Sequence, residues 1–537
     1  MELARLRGTK RRDSSTMPAR SAKTIRRWVS SLIVGLAALA VPVAMSGAGA
    51  GLSFAPATTV ATQSGVGNLT EIESGDLNGD GRDDLVVTRI ACCPVAHQTF
   101  PIGIYLGDGQ GGFVDGSSMW DGPPARTEHG RQILIADFNG DHRNDIFVAD
   151  HGYDAPPFPG HANALALSTP AGKLVDASAN MPAESGFSHS ATAADVNHDG
   201  SVDLYVGNLC TYCTDAPPEI LLNDGSGHFT RRTDLLPSDL RDLDDAHRYT
   251  RSLFMDANGD GSPDLVLGAD DHTVTSRVLL NDGSGHFHDA PAPFPAKPLG
   301  PTSILISLAA LDINRDGRTD LLAGFTPGNP FYMGRRLQIL INDGGGAFRD
   351  ETAERLPQQD GGAGWPVAIR ISDMNGDGHP DFGVSVNGAF TERAPIYLDA
   401  GDGVYRPVQA PSSQPFFVFV DANRDGHPDI VSAVGGQNEH VDVQLQLVPP
   451  ARPEGVHAAG LRNGIHISWK PVTGATGYEI WRSQPGRARR LIDTTTRTRF
   501  DDRHTGRGVR YSYSVRAVNS VGKSPFSALV TARRRSS

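Results

Sequence analysis

The feature that most constrains this chain is an acidic nonapeptide that returns seven times. It reads DLNGDGRDD at 76–84, DFNGDHRND at 137–145, DVNHDGSVD at 195–203 and DANGDGSPD at 256–264. It continues as DINRDGRTD at 312–320, DMNGDGHPD at 373–381 and DANRDGHPD at 421–429. Successive starts lie 61, 58, 61, 56, 61 and 48 residues apart. A period of that size means one supersecondary unit stacked against copies of itself.

The flanks repeat as well. Short apolar runs precede most of the loops, and DLVV, DIFV, DLYV, DLVL, DLLA, DFGV or DIVS closes each one. Runs this short, rich in Val, Ile and Phe, predict strands. A Gly-rich hairpin follows in IYLGDGQGGF, ILLNDGSGHF, VLLNDGSGHF and ILINDGGGAF. Asn-Asp-Gly turns supply the positive φ that a tight hairpin needs. Four strands per unit, seven times, predict the blades of a β-propeller. The seventh unit is one strand short, and LSFAPATTV at 52–60 resembles the missing strand. The N-terminal segment is therefore expected to complete the last blade.

The loop chemistry predicts a cation site. Side-chain oxygens at positions one, three and five converge only if the backbone turns tightly, which Gly at position six permits. The carbonyl of position seven faces inward, and Asp at position nine offers two more oxygens. An all-oxygen set of six or seven donors suits Ca²⁺, whereas softer metals favour His or Cys. The expected ligands are Asp76, Asn78, Asp80, Arg82 and Asp84; Asp137, Asn139, Asp141, Arg143 and Asp145; Asp195, Asn197, Asp199, Ser201 and Asp203. The later loops offer Asp256, Asn258, Asp260, Ser262 and Asp264; Asp312, Asn314, Asp316, Arg318 and Asp320; Asp373, Asn375, Asp377, His379 and Asp381; Asp421, Asn423, Asp425, His427 and Asp429. Position seven acts through its carbonyl in each. His142 replaces the Gly of the second loop, and this site is expected to be weaker because a non-Gly residue takes φ > 0 at some cost. Position nine leads straight into a strand, which argues against an EF-hand.

These repeats resemble the FG-GAP or VCBS repeats of the integrin α-subunit propeller and its bacterial relatives, over about 52–449. The resemblance implies a seven-bladed all-β propeller with Ca²⁺ loops between the first two strands of each blade, on the lower face. It implies ligand contacts on the upper face, where TRIACCPVAHQTFP, DHGYDAPPFPGHAN, NLCTYCTDAPPE and PSDLRDLDDAHRYTR would lie. The histidines there, His97, His129, His151, His161, His189, His247 and His272, read mainly as loop hydrogen-bonding groups. Asp150, Asp154 and Arg131 are the residues that would join them in a catalytic cluster.

Residues 1–50 carry nine Lys or Arg, an apolar stretch WVSSLIVGLAALAVPVAM and small residues AGA, the order of a secretory signal peptide. Met1 and Met17 are both candidate starts. An uncleaved anchor is the rival reading, although Pro42 and the short apolar stretch make spanning marginal. Removing 1–50 takes Lys plus Arg from 49 to 40 and Asp plus Glu from 61 to 59, a formal net charge of −19. That balance argues against nucleic acid as a partner, and no second membrane span is expected. Export makes disulfides the expected state of Cys92, Cys93, Cys210 and Cys213. A vicinal Cys92–Cys93 bridge would be strained, which leaves pairing between the two loops open.

From 450 the pattern changes. GIHISWK, GYEIWR and YSYSVRAVN alternate with period two, as sandwich strands do. Trp469 fits a core position and Tyr511 a corner tyrosine. AVNSVGKSPFS is similar to the end of a fibronectin type III domain. The organisation expected is a signal at 1–50, the propeller at 51–449 and a fibronectin type III domain at 450–537 with a short basic tail. The function expected is a secreted, calcium-binding adhesion or binding module for an extracellular protein or carbohydrate. The alternatives are a calcium-dependent polysaccharide lyase or hydrolase, and a structural envelope or matrix component. No inserted catalytic subdomain interrupts the blades, which favours binding.

Overall fold

The computed structural model describes residues 52–60, 67–91, 97–155, 158–183, 185–209, 216–241, 249–270, 274–359, 361–387, 395–409, 416–434, 440–519 and 521–535. Residues 1–50, where a signal is expected, His247, His272 and all four cysteines lie outside the described residues.

The described chain is all-β and is dominated by four-stranded antiparallel sheets. Sheet one comprises Asn68–Gly75, Asp84–Ile90, Gly103–Gly107 and Phe113–Asp115. Sheet two comprises Gly130–Ala136, Asp145–Asp150, Ala164–Ser168 and Leu174–Asp176; sheet three Ser188–Ala194, Asp203–Asn208, Glu219–Asn223 and Phe229–Arg231. Sheet four comprises Tyr249–Met255, Asp264–Ala269, Arg277–Asn281 and Phe287–Asp289; sheet five Ile304–Leu311, Asp320–Thr326, Arg336–Gly344 and Ala347–Asp350. Sheet six comprises Trp365–Ser372, Asp381–Asn387, Pro395–Asp399 and Tyr405–Gln409. Sheet seven takes Phe416–Val420, Asp429–Val434 and His440–Gln444 from one end of the repeat region, and Thr58–Val60 from the other. Thr58, Thr59 and Val60 pair antiparallel with Val443, Asp442 and Val441. The strand expected from 52–60 is thus the outer strand of sheet seven.

Each sheet packs face to face on the next. Val86, Ile104, Ile133 and Val148 join sheets one and two, and Phe147, Leu165, Leu204 and Leu221 join two and three. The series continues to sheet seven, whose Val418, Val431 and Val443 pack on Leu69, Ile72 and Val87 of sheet one. The first strands contact one another in the same cyclic order. Covered on both faces, the second strands are buried along nearly their whole length, as in Asp145–Asp150 and Asp264–Ala269. This is why they read as continuous apolar runs rather than alternating ones.

In six sheets the first strand has a register shift near its start. The residues skipped by the pairing are Thr70, Arg131, His189, Thr250, Ile306 and Val367. An extra residue of this kind re-aims a side chain out of the sheet.

Beyond 450, a three-stranded sheet (His457–Leu461, Gly464–Ser468, Arg499–Asp502) faces a four-stranded one (Arg490–Thr495, Gly477–Ser483, Arg510–Val518, Val530–Arg533). Trp469, Tyr478, Ile480 and Tyr513 share the core between them. The Tyr511 hydroxyl accepts the Gly506 N–H at 2.9 Å, the expected corner contact.

Candidate functional site

The seven acidic loops adopt one geometry. In each, the position-five N–H donates to both the position-one carboxylate and the position-three Asn Oδ1; for Asp260 these are Asp256, at 3.1 Å, and Asn258, at 2.8 Å. The position-six N–H donates to the other oxygen of position one, as Gly261 does to Asp256 at 2.9 Å. The position-seven N–H donates to position five, as Ser262 does to Asp260 at 2.8 Å. Position six has positive φ throughout, including His142 at 64°. Position four does too, and there His198, Arg315 and Arg424 carry it without glycine. His142 is therefore one of four strained positions, not a singular defect.

At position nine both carboxylate oxygens already accept backbone N–H groups. Asp84, Asp145, Asp203, Asp264, Asp320, Asp381 and Asp429 are fully buried. One oxygen accepts the N–H of position two and the other an N–H at the end of the third strand. Asp264, for example, takes Ala257 at 2.9 Å and Asn281 at 2.8 Å. Burial raises these carboxyls, to about 6 for Asp84, Asp203 and Asp264 and about 7 for Asp381 and Asp429, against the backbone N–H bonds that lower them.

The donor set fits a hard dication. In loops one, three, four and five the Asn amide N–H turns onto the position-five carboxylate, at 3.3, 2.9, 2.7 and 2.9 Å. A partial positive charge is thus drawn to the place where a cation would act more strongly. Three contacts oppose it. Arg82 and Arg318 set a guanidinium on Asp80 and Asp316. In loop two the Ser168 hydroxyl donates to Asp141 at 3.0 Å, and Asn139 turns instead to the Ser168 carbonyl.

A second site lies at the other end of the sheets. The acidic loops join the end of each first strand to the start of the second. Arg131, His189, Thr250, Ile304 and Trp365 stand at the starts of first strands, and His151, Leu209 and Asp270 just past the ends of second strands. With Asp154, Phe158, Phe187, Phe331 and Tyr332 they line a cavity of about 560 Å³ drawn from sheets two to six. Arg131, His189 and Thr250 are three of the residues skipped by the first-strand pairing. Phe158 and Tyr332 hold φ of 57° and 56°, which is unusual for bulky residues. Tyr332 meets Trp365 edge to face at 5.2 Å and Phe331 at 4.3 Å.

The cavity has a histidine cluster in one wall. Pairing of Gly130 with Asp150 sets His129 opposite His151, and the His151 N–H donates to the His129 carbonyl at 3.0 Å. Asp150, fully buried, ties the two segments together. Its Oδ1 accepts the N–H groups of His129 and Gly152, both at 2.9 Å. Its Oδ2 accepts Glu128 N–H at 2.7 Å and lies 2.9 Å from His161 Nδ1. The His151 ring meets those of His129 at 5.1 Å and His189 at 5.2 Å. Burial, and after it the Arg131 charge, lowers His129 to about 4 and His189 to about 3. Burial holds His151 well below its usual value, with the neighbouring His129 and His189 adding to the effect. All three rings are neutral near pH 7. His161 is raised by its bond to Asp150.

Among the described histidines His129, His151, His161 and His189 thus cluster, with Asp150, Asp154 and Arg131. His97 stands nearby, its N–H on Glu128 at 2.8 Å. Sequence reading did not find the aromatic wall of Phe158, Phe187, Phe331, Tyr332 and Trp365. The only available signal was aromatic residues beside Pro and Gly in the connections that do not repeat.

Comparison with known proteins gives partial matches. The family model of the FG-GAP-like repeat matches residues 76–148, 137–206 and 256–323. A 94-residue segment is 33% identical to an amylopullulanase of Thermoanaerobacterium saccharolyticum and 30% identical to one of Thermoanaerobacterium thermosulfurigenes. It covers 17% of this chain and only 7% and 5% of the length of those curated relatives. Among solved structures, a Fn3-like protein from Clostridium thermocellum is 26% identical, covering 17% of this chain and 95% of that one, with a TM-score of 0.15. The FN5 domain of Drosophila Lar is also 26% identical, covering 16% and 99%, with a TM-score of 0.15. No helix among the described residues is long and apolar enough to cross a membrane.

Proposed function

We propose that this chain is an exported, calcium-stabilised seven-bladed β-propeller that binds carbohydrate in the cavity remote from its acidic loops. FG-GAP-like repeats beside a fibronectin III-like module suggest a binding or adhesion protein. Seven four-stranded sheets whose first strands contact in cyclic order support the propeller. In each loop the side chains of positions one, three, five and nine and the carbonyl of position seven would hold Ca²⁺, which supplies charge neutralisation and no chemistry. The C-terminal module would act as a spacer or adhesive unit. In this reading residues 1–50 are the cleaved signal and the four cysteines are oxidised.

One observation carries the choice of ligand: the cavity is concave and walled by aromatic rings beside Arg131 and Asp154. Rings that offer an apolar face near polar groups suit a sugar unit better than a flat protein surface does. A glycan array tests this. Wild type should retain a defined glycan set, and Trp365→Ala or Tyr332→Ala should weaken it by roughly tenfold, about 1.4 kcal/mol. Binding that both variants keep at full strength would place the ligand elsewhere.

A polysaccharide lyase or hydrolase is the second reading, favoured by the His129, His151 and His189 rings that meet in one wall of the cavity beside Arg131 and Asp154. Histidines gathered with a cation and a carboxylate in a concave site are the groups that such chemistry draws on. Product release from a polysaccharide panel, lost in His189→Ala, would select this reading over simple binding.

A further inference from the structure

Two of the clustered histidines hold their backbones and rings in place but leave a ring nitrogen unused. The Nδ1 atoms of His129 and His151 are buried and have no hydrogen-bond partner. Both residues are more than nine-tenths buried, at 7% and 3% exposure. Buried polar atoms of this kind call for a partner. One ring nitrogen from each and one carboxylate oxygen of Asp154 lie within 4.8 Å of one another.

We propose that His129, His151 and Asp154 bind one divalent transition-metal ion of the Zn²⁺ class, at a site distinct from the seven acidic loops. Two imidazoles and a carboxylate form a donor set that Zn²⁺ and Co²⁺ accept and that Ca²⁺ does not favour. Tetrahedral ligation with bonds of about 2.0–2.1 Å sets ligand atoms about 3.4 Å apart. The trio therefore needs to close by little more than an ångström. His129 and His151 are held on their backbones by Asp150 and by the His151–His129 hydrogen bond. Asp154, exposed at its rim, is the arm that closes. His151 and Asp154 line the cavity, so a three-ligand ion would keep an open position facing it. The Arg131 charge acts on all three residues, and the Asp154 carboxylate is the charge in the trio that offsets it.

The test uses untagged full-length protein, stripped of metal and then held in excess Ca²⁺ so that the acidic loops do not compete. Co²⁺ is titrated in and followed by its visible d–d bands. One equivalent should bind with the intensity of a four- or five-coordinate site, and Zn²⁺ should displace it. Asp154→Asn, His129→Gln and His151→Gln should each weaken binding by more than roughly 100-fold, beyond what loss of an outer-sphere contact gives. His228→Gln, on an exposed hairpin, should change nothing. Failure of folded wild type to give the Co²⁺ bands would overturn the proposal. So would bands that persist at full affinity in Asp154→Asn, which leaves the buried pair intact and so remains informative if the histidine variants do not fold.

Discussion

At the scale of single residues, the acidic loops separate two tasks that share one motif. Position nine is a buried strut and position five an outward-facing carboxylate. Asp264 is fully buried and accepts N–H groups from Ala257, Asn258 and Asn281. An amide there presents an N–H to another N–H and strands one of them. Asp264→Asn should therefore cost about 1–3 kcal/mol even in chelator. Asp260 is exposed, and Asp260→Asn in chelator should cost less than about 0.5 kcal/mol. Urea unfolding of both variants in EDTA measures the difference; equal costs would mean that position nine is no strut. The motif itself was plain in the sequence, but this division was not. It depends on the end of the third strand, 17 residues beyond Asp264. Position four was legible and went unread: Gly, Gly, His, Gly, Arg, Gly, Arg alternates because the turn needs φ > 0 and tolerates three exceptions.

At the scale of elements, charge placement between strands matters as much as pattern. In the C-terminal sandwich, Glu479 sits on the strand Gly477–Ser483 and accepts from Arg516 at 2.6 Å, Lys523 at 2.7 Å and Trp481 Nε1 at 2.9 Å. Burial alone would raise its carboxyl, but Lys523, Arg516 and Trp481 outweigh it and pull it down to about 2. The folded pKa lies below the unfolded value, so the unfolded chain binds the proton more readily between them. The stabilisation is complete above about pH 4.5 and is lost as pH falls towards 2, amounting to at most about 3 kcal/mol. Glu479→Gln should lower stability at pH 7 and match wild type near pH 2, as read by melts of the full chain in which the C-terminal transition is followed through Trp469. A gap that persists at pH 2 would assign the effect to packing. Alternating strands such as GYEIWR revealed this sandwich, because one face is wet and one dry. The cavity was not legible in the same way. Its residues reach it through bulges at Arg131, His189 and Thr250, and His129 meets His151 only through the pairing of Gly130 with Asp150. Such registers are set by packing between sheets, which no local pattern records.

At the scale of the whole molecule, the question is what keeps the array of sheets together. Sheet seven is built from both ends of the repeat region. Removing 52–60 would bare the edge of His440–Gln444 and uncover Val441 and Val443, both buried. An open apolar edge invites pairing with another chain. The truncated protein should melt lower and run as soluble oligomers on size exclusion; a monomer of unchanged midpoint would show that the strand is ornamental. Charge presses in the same direction as an open edge would. Each loop gathers three carboxylates, and burial and, secondarily, the loop partners push the position-nine groups up, to about 6 for Asp264 and about 7 for Asp429. A bound dication relieves that repulsion in every sheet at once; in the proposed reading, with residues 1–50 removed, seven ions take the formal charge from −19 to about −5. Each site held at ~100 times its Kd would add about 2.7 kcal/mol. Calcium should therefore raise the melting midpoint steeply and EDTA lower it, while NaCl at matched ionic strength reproduces only the small screening part. Loops one and five, where Arg82 and Arg318 already sit on the position-five carboxylate, and loop two, where Ser168 does, should fill last. Calorimetric titration should accordingly resolve four tight sites before three weaker ones. A midpoint indifferent to EDTA, or seven equivalent sites, would mean that the loops are hydrogen-bonded turns first and cation sites only second.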